Sequence, residues 1–239
     1  MTLESCALEF SVEEVCFQSA DGTRLHGWFM PAEREAKWAS FALLMMHGNA
    51  GNISHRGAFY KAWHELGVNV FAFDYRGYGR SGGKPSEEGT YLDAQAGYAW
   101  LRQRGFPAAK IVSLGKSLGG GIAAELALRE PVGGLILQNT FTSIPDIGSE
   151  MFPWLPVRKL ARIHYDTRAK LPRIKVPVMV AHSRTDRTIS FEHGEKNFAA
   201  ANEPKMFWEL EGGHTDTVEV GKRTYLEGLE KFFSNYLAK

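Results

Sequence analysis

The sequence predicts an α/β fold, with one mostly parallel sheet of about eight strands and helices on both of its faces. From Phe41 onward, short apolar runs alternate with longer segments of helical period. Each run is brief and largely apolar, which is typical of a strand that is buried on both faces. Two earlier runs flank Asp21-Gly22, a dipeptide that favours a hairpin turn. The sheet should therefore be antiparallel at one edge only.

The individual elements can be placed in order along the chain. The hairpin strands should span residues 12–18 and 24–30. The strands of the parallel series are expected at residues 41–46, 68–73, 111–114, 134–138, 178–182 and 205–210. The helices are expected between and after them, at residues 56–66, 92–104, 118–129, 191–200 and 223–237. No domain boundary is indicated, so residues 1–239 should form a single domain.

One stretch interrupts this alternation. Residues 140–174 hold four of the ten prolines and several aromatic residues, between two predicted strands. Because proline breaks helices, interrupted helices or a loop that covers a pocket fit this stretch best. We expect a small cap segment with Met151, Phe152, Trp154 and Leu155 as an apolar rim for substrate binding. Packing of these side chains into the core is an equally good explanation.

The composition excludes several classes of function. Lys and Arg together number 28 and Asp and Glu 27, so no overall charge draws the chain to nucleic acid or to an anionic bilayer. No apolar stretch reaches membrane-spanning length, and Glu4 and Glu9 lie where a signal peptide needs a basic start. We expect a cytoplasmic protein without an integral membrane segment. Cys6 and Cys16 form no CxxC pattern and suggest neither a disulfide framework nor a zinc site.

A candidate nucleophile lies in the segment GKSLG at residues 115–119. It matches G-x-S-x-G, the pattern of a tight strand-to-helix turn that projects a serine hydroxyl beyond the end of a sheet. A predicted strand precedes it and a predicted helix follows it, which is the order that this turn requires. We therefore predict Ser117 as a nucleophile. A glycine-rich packing turn with an incidental serine is the alternative.

A serine hydroxyl needs a base within hydrogen-bond reach, and the base needs a third group that holds its tautomer. In this type of fold the acid follows the serine and the histidine comes last. His214 lies in a loop between the last predicted strand and the final helix, so we expect it to be the base. Asp186 follows the preceding strand and is the expected acid, with a turn-forming role as its alternative. Asp216 is a less favoured candidate for the acid.

Acyl transfer also needs backbone N–H donors that are aimed at the developing oxyanion. One should come from Leu118, directly after the serine. The other should come from the glycine-punctuated loop after the first parallel strand, where Asn49 is the expected donor. The other histidines show no metal-like spacing. Neither a metal nor an organic cofactor is expected.

Several motifs, taken in order, resemble the α/β-hydrolase family, and more narrowly its Bem46-like branch, which includes the α/β-hydrolase domain-containing protein 13. The resemblance covers almost the whole chain through HGNAGN at 47–52, DYRGYGRSG at 74–82, GKSLGG at 115–120, NTFTS at 139–143, FPWLP at 152–156 and GH at 213–214. It implies Ser117 as nucleophile, Asp186 as acid and His214 as base. It also implies an oxyanion hole formed by the amides of Asn49 and Leu118.

Two positions depart from the pattern of that family. Ser183 follows His182 where members often have glycine, and Ser190 stands where members often have proline. Membrane-attached relatives carry an N-terminal apolar anchor, which we do not expect here, so their location is not transferred.

The expected activity is hydrolysis of short to medium acyl esters through an acyl-serine intermediate. Hydrolysis of acyl thioesters, including S-acylated proteins, is one alternative, and a non-catalytic scaffold is another. A complete set of serine, acid and histidine argues against the scaffold. Lys116, beside the serine, either favours an anionic substrate group or points outward. The sequence determines neither the substrate nor the oligomeric state.

Overall fold

A computed structural model of the protein describes residues 8–238. Its strands are β1 (Glu13–Gln18), β2 (Arg24–Met30), β3 (Trp38–Met46), β4 (Val68–Asp74), β5 (Ile111–Lys116), β6 (Gly134–Gln138), β7 (Val178–Ser183) and β8 (Lys205–Leu210). They form one sheet in the order β1-β2-β4-β3-β5-β6-β7-β8. β2 pairs antiparallel with β1 and β4, and the other pairs are parallel. The predicted fold class, with its antiparallel edge, is confirmed.

The described residues contain eight α-helices, which cover both faces of this sheet. They are α1 (Gly57–Leu66), α2 (Glu87–Gln103), α3 (Leu118–Arg129), α4 (Ile144–Met151), α5 (Val157–Leu160), α6 (Thr167–Lys170), α7 (Phe191–Ala200) and α8 (Thr217–Phe232). A π-helical turn at Phe233–Leu237 follows α8. Side chains of α2 and α3 contribute to an apolar cluster on one face of the sheet. Those of α1 and α8 contribute to a second cluster on the other face, so every central strand is buried on both sides.

Two helices begin earlier than the sequence pattern predicts. α2 begins at Glu87, because the Ser86 hydroxyl accepts a hydrogen bond of 3.1 Å from Gly89 N and caps the helix. α8 begins at Thr217, and Gly221 interrupts its first turns with a non-helical backbone (φ −123°, ψ 41°). The periodic apolar pattern reports only the regular part of α8 that lies beyond this kink.

The segment 140–174 folds as the short helices α4, α5 and α6 between β6 and β7. Its prolines stand mainly where helical turns begin. Pro145 lies in the first turn of α4, Pro156 directly precedes α5, and Pro172 lies in a 3₁₀ turn after α6. Proline suits the first turn of a helix because the N–H that it lacks would have no partner there. Proline therefore divides this segment into short helices.

Two predictions concern the N-terminal residues and membrane-spanning segments. Glu4 and Cys6 lie outside the described residues, and Cys16 is exposed on β1. Within residues 8–238, every helix is too short or too polar to span a lipid bilayer.

Candidate active site

Ser117 lies in a tight turn between β5 and α3, with a φ of 55° and a ψ of −120°. This conformation costs a residue with a side chain roughly 1–3 kcal/mol, and such strain clusters at functional sites. The turn can be this tight because its neighbours are glycines. A Cβ atom on Gly115 would lie 2.3 Å from Gly119 O, and one on Gly119 would lie 2.0 Å from Met46 O. The strand, turn and helix that the G-x-S-x-G pattern requires are therefore all present.

Asp186 and His214 are joined directly. The distance from His214 Nδ1 to Asp186 Oδ2 is 2.7 Å. The other carboxylate oxygen, Oδ1, accepts hydrogen bonds of 2.8 Å from Thr188 N and 2.9 Å from Ile189 N. Burial raises the pKa of Asp186, but its hydrogen bonds with His214, Ile189 and Thr188 outweigh burial and hold the pKa below its ordinary value. Asp186 is thus an ionised carboxylate that orients the histidine ring.

Ser117 and His214 face one cavity of about 240 Å³, which Gly48, Asn49 and Thr188 also line. Since Asp186 engages Nδ1, the imidazole nitrogen that remains for a serine hydroxyl is Nε2. No hydrogen bond within residues 8–238 joins this nitrogen to Ser117 Oγ. The serine and the histidine thus share a cavity without direct contact through a hydrogen bond.

The two predicted oxyanion donors also lie beside the serine. Asn49 and Leu118 line a larger cavity together with Ser117. A Cβ atom on Gly48 would be 3.8 Å from Ser117 Oγ, so the loop after β3 lies directly against the serine. Leu118 is the first residue of α3, and the N–H groups of a first helical turn have no partner within the helix. Asn49 and Leu118 therefore both lie beside the candidate nucleophile.

Comparison with known proteins identifies the family. Residues 42–159 match the family described as alpha/beta hydrolase fold. The alpha/beta hydrolase domain-containing protein WAV2 of Arabidopsis thaliana is 35% identical over 94% of this chain and 80% of its own length. The chain belongs to the α/β-hydrolase family. An uncharacterized protein of Mycobacterium tuberculosis is 36% identical to this hydrolase over 92% of the chain and 79% of its own length.

The fold is also shared with solved structures. The esterase Pf2001 of Pyrococcus furiosus superposes on the hydrolase with a TM-score of 0.80, covering 100% of this chain and 95% of that one. The two sequences are 19% identical, so this likeness shows the fold alone. Family and fold together support hydrolytic chemistry in general.

The larger cavity of the hydrolase has a volume of about 450 Å³ and mostly apolar walls, which is the size range of a small-molecule site. Met151 lines it, whereas Phe152, Trp154 and Leu155 do not and are exposed on the surface. Sequence reasoning missed several wall residues, namely Phe141, Ile144, Ile147, Ile163 and Tyr165. The sequence does contain a signal for the wall residues on α4, because Ile144, Ile147 and Met151 follow the spacing of one helix face.

Lys116, directly before the serine, is buried and does not point outward. Its Nζ donates a hydrogen bond of 2.7 Å to His214 O, across 98 positions of sequence. Burial, together with the nearby positive charge of Arg56, lowers the pKa of Lys116 to about 8. Asn139 Nδ2 donates longer hydrogen bonds to Gly213 O and to the same His214 carbonyl. These contacts hold the histidine loop of the hydrolase at the carboxyl ends of β5 and β6.

Ser183, one of the departures from the family pattern, contributes to the same restraint. Its hydroxyl donates a hydrogen bond to Gly212 O, and its backbone N–H donates one of 3.1 Å to Asn139 Oδ1. Asp216 accepts a hydrogen bond from Gly213 N and makes no hydrogen bond to the imidazole of His214 within the described part of the chain. Asp186 is therefore the carboxylate that contacts the ring.

The remaining histidines include one that supports the acid loop. His182 is fully buried, and its Nε2 donates a hydrogen bond of 3.0 Å to Ile189 O. Burial lowers the pKa of His182 and keeps the ring neutral. His182 therefore stabilises the loop that carries Asp186. No group of three or more His, Cys, Asp and Glu side chains among residues 8–238 has an arrangement that could hold a metal ion.

Proposed function

We propose that the protein is a serine hydrolase that cleaves carboxylic esters through a covalent acyl-serine intermediate. The observation that carries this proposal is the 2.7 Å contact of Asp186 with His214 beside the strained turn of Ser117. Ser117 Oγ attacks the ester carbonyl carbon while His214 Nε2 takes its proton. The imidazolium then returns the proton to the leaving alcohol. Water, activated by the same nitrogen, hydrolyses the acyl-enzyme and frees the acid.

The neighbouring groups have separate roles in this scheme. Asp186 keeps the proton of the neutral ring on Nδ1 and stabilises the imidazolium once it forms. The amides of Asn49 and Leu118 donate to the oxyanion, and each such donor is worth about 3 kcal/mol in the transition state. Catalytic hydrogen bonds are often long before substrate binds. We therefore expect the Ser117 Oγ to His214 Nε2 contact to shorten in the Michaelis complex.

The apolar cavity supports esters of short to medium acyl chains as substrates. Its walls bind the hydrocarbon, and the carbonyl lies at Ser117, near the junction with the smaller cavity. Acyl thioesters would pass through the same steps, because the acyl-serine intermediate is identical. No cofactor takes part in this scheme.

We further infer that residues 1–239 act as one catalytic domain with residues 140–174 as its cap. All eight described strands share one sheet, and the cap contributes Ile144, Ile147, Met151 and Ile163 to the cavity. The order of motifs supports a place in the Bem46-like branch of the family. A cytoplasmic location stays a prediction.

Labelling with a fluorophosphonate probe tests the proposed nucleophile. Mass spectrometry of the labelled protein should find the modification on Ser117, and Ser117→Ala should abolish it. Ser234→Ala, which removes a surface hydroxyl on the C-terminal turn, should label normally. A folded protein that leaves Ser117 unmodified would overturn the proposal.

Measurements of substrate turnover distinguish the ester hydrolase from its two alternatives, a thioesterase and a non-catalytic scaffold. Nitrophenyl esters from acetyl to dodecanoyl, and the matching acyl thioesters, should be hydrolysed with a preference that reports the cavity. Activity should disappear in Ser117→Ala and in His214→Ala. Faster turnover of thioesters at equal chain length would identify a thioesterase. The absence of turnover throughout both series would support a non-catalytic scaffold.

A further inference from the structure

The exposed apolar side chains of the protein are concentrated at one place. Among residues 8–238, the exposed large hydrophobic side chains other than Val220 all belong to the outer part of the cap. We call this set the cap patch, and its members are Met151, Phe152, Trp154, Leu155, Leu160 and Ile163. Trp154 is 74% exposed and Leu160 is 64% exposed. Soluble proteins rarely keep such a cluster in water, so it marks an interaction surface.

Basic side chains lie between the members of the cap patch along the chain. Residues 151–163, which span the patch, contain three Lys and Arg and no Asp or Glu, a net charge of +3, although the whole chain has a net charge of +1. The remainder of the chain therefore has a net charge of −2. Next to the patch in sequence, Lys159 and Arg162 are exposed and form no ion pair with any described residue, whereas Arg158 pairs with Asp146 at 2.8 Å. The balanced total thus hides a basic segment at the outer part of the cap.

The cap patch is continuous with the large cavity. Met151 and Ile163 belong to the patch and also line the cavity that contains Ser117. Ile147, one turn before Met151 on α4, extends the apolar wall inward. These shared side chains give an apolar chain a continuous apolar wall from the patch into the cavity of Ser117.

The positive charge of residues 151–163 indicates which kind of partner covers the cap patch. A second copy that docked patch to patch would bring like charges together, because a symmetric dimer pairs the same surface on both subunits. Exposed Trp and Leu side chains among Lys and Arg are instead typical of peripheral binding to anionic lipids. The apolar side chains enter the interface between headgroups and acyl chains, and the cations contact lipid phosphates.

We propose that the cap patch docks the protein onto an anionic lipid surface. Trp154 and Leu160 insert into the interface, and Lys159 and Arg162 bind the headgroups. Docking is independent of catalysis. The substrate class rests on the proposed function: a docked ester hydrolase takes esters of membrane lipids, which reach Ser117 through the cavity.

Vesicle flotation of the full chain tests the docking. The protein should bind vesicles of phosphatidylcholine and phosphatidylserine at least about tenfold more tightly than vesicles of phosphatidylcholine alone, and salt should weaken this binding. Trp154→Ser/Leu160→Ser and Lys159→Glu/Arg162→Glu should each lower the affinity about tenfold or more. Arg24→Glu/Lys61→Glu, with the same change of charge at exposed sites outside the cap, and Val220→Ser should bind like wild type.

Several results would overturn the proposal. These are no binding of wild type to anionic vesicles, equal binding by patch and control variants, or a loss of self-association in the patch variants without any lipid binding. The last result would identify a second copy as the occupant. Circular dichroism of each variant separates lost docking from lost folding.

Activity measurements keep the docking apart from the proposed function. Lys159→Glu/Arg162→Glu should hydrolyse a soluble short ester at the wild-type rate but should lose activity on an ester embedded in anionic vesicles. Vesicle binding without hydrolysis of any ester would leave the docking in place and overturn the proposed function. Hydrolysis of soluble esters without vesicle binding would overturn the docking alone.

Discussion

Lys116 Nζ donates a hydrogen bond of 2.7 Å to the backbone oxygen of His214. This contact joins the residue before the candidate nucleophile to the candidate base. It restrains the histidine from the backbone side, while Asp186 restrains it through the ring. The position of the imidazole relative to Ser117 thus depends on two buried groups of opposite charge.

Lys116→Met should lower kcat about tenfold and leave KM nearly unchanged. The variant keeps an apolar stem of similar length but removes the hydrogen bond, and a charge-assisted hydrogen bond is worth roughly 1.5–3 kcal/mol. Asn139 still restrains the loop, so the loss is partial. Steady-state kinetics on a soluble ester, with the exposed Lys61→Met as control, measure the effect. An unchanged kcat would mean that Lys116 has no part in positioning the histidine.

The stability of the protein should depend on the charge of Lys116. In the folded protein the pKa is about 8, against an ordinary value of 10.5, so between these pH values the unfolded chain binds more protons at this site. The free energy of unfolding should therefore rise with pH in this window, by about 3 kcal/mol in total.

Urea unfolding at pH values from about 7 to about 10.5 measures this rise. Lys116→Met should lack it and should be more stable than wild type at neutral pH, because it buries no charge. Parallel stability curves for the two proteins would contradict a destabilising ammonium at this site.

Asp186→Asn should lower kcat by about 10³- to 10⁴-fold, because an amide in place of the carboxylate favours the wrong tautomer of His214. The asparagine oxygen can still accept from Thr188 N and Ile189 N, so the loop should keep its fold. Asp216→Asn is the matched control and should change kcat by less than about tenfold. If the Asp216 variant loses as much activity as the Asp186 variant, the assignment of the acid is wrong.

Ile147→Trp should shorten the acyl chains that the enzyme accepts. The larger side chain occupies part of the cavity that Ile147 lines, so long chains meet a steric barrier while an acetyl group does not. We expect kcat/KM for dodecanoyl esters to fall more than about tenfold and that for acetyl esters to change less than about threefold. Leu160→Trp, outside the cavity, should leave the ratio of the two values unchanged. An equal loss for both esters would indicate damage to the site.

The sequence was sufficient to predict those structural features that a few neighbouring residues determine. The strand, the two glycines and the helix around Ser117 are contiguous, so the turn follows from its own segment. The positions of Asp186 and His214 after successive strands follow from the parallel order of those strands. The starts of α2 and α8 were missed because a cap at Ser86 and a kink at Gly221 carry no apolar period.

The sequence by itself determined the fold class and the candidate residues, because apolar periodicity and glycine spacing are properties of short segments. Only the tertiary structure decided what Lys116 and Trp154 do. The direction of Lys116 depends on a carbonyl that lies 98 positions away, and the exposure of Trp154 depends on how the cap packs against the rest of the chain. Both depend on parts of the chain that are distant in sequence. Local sequence does not determine them, because the same side chain can lie in a core, line a pocket or be exposed on a surface.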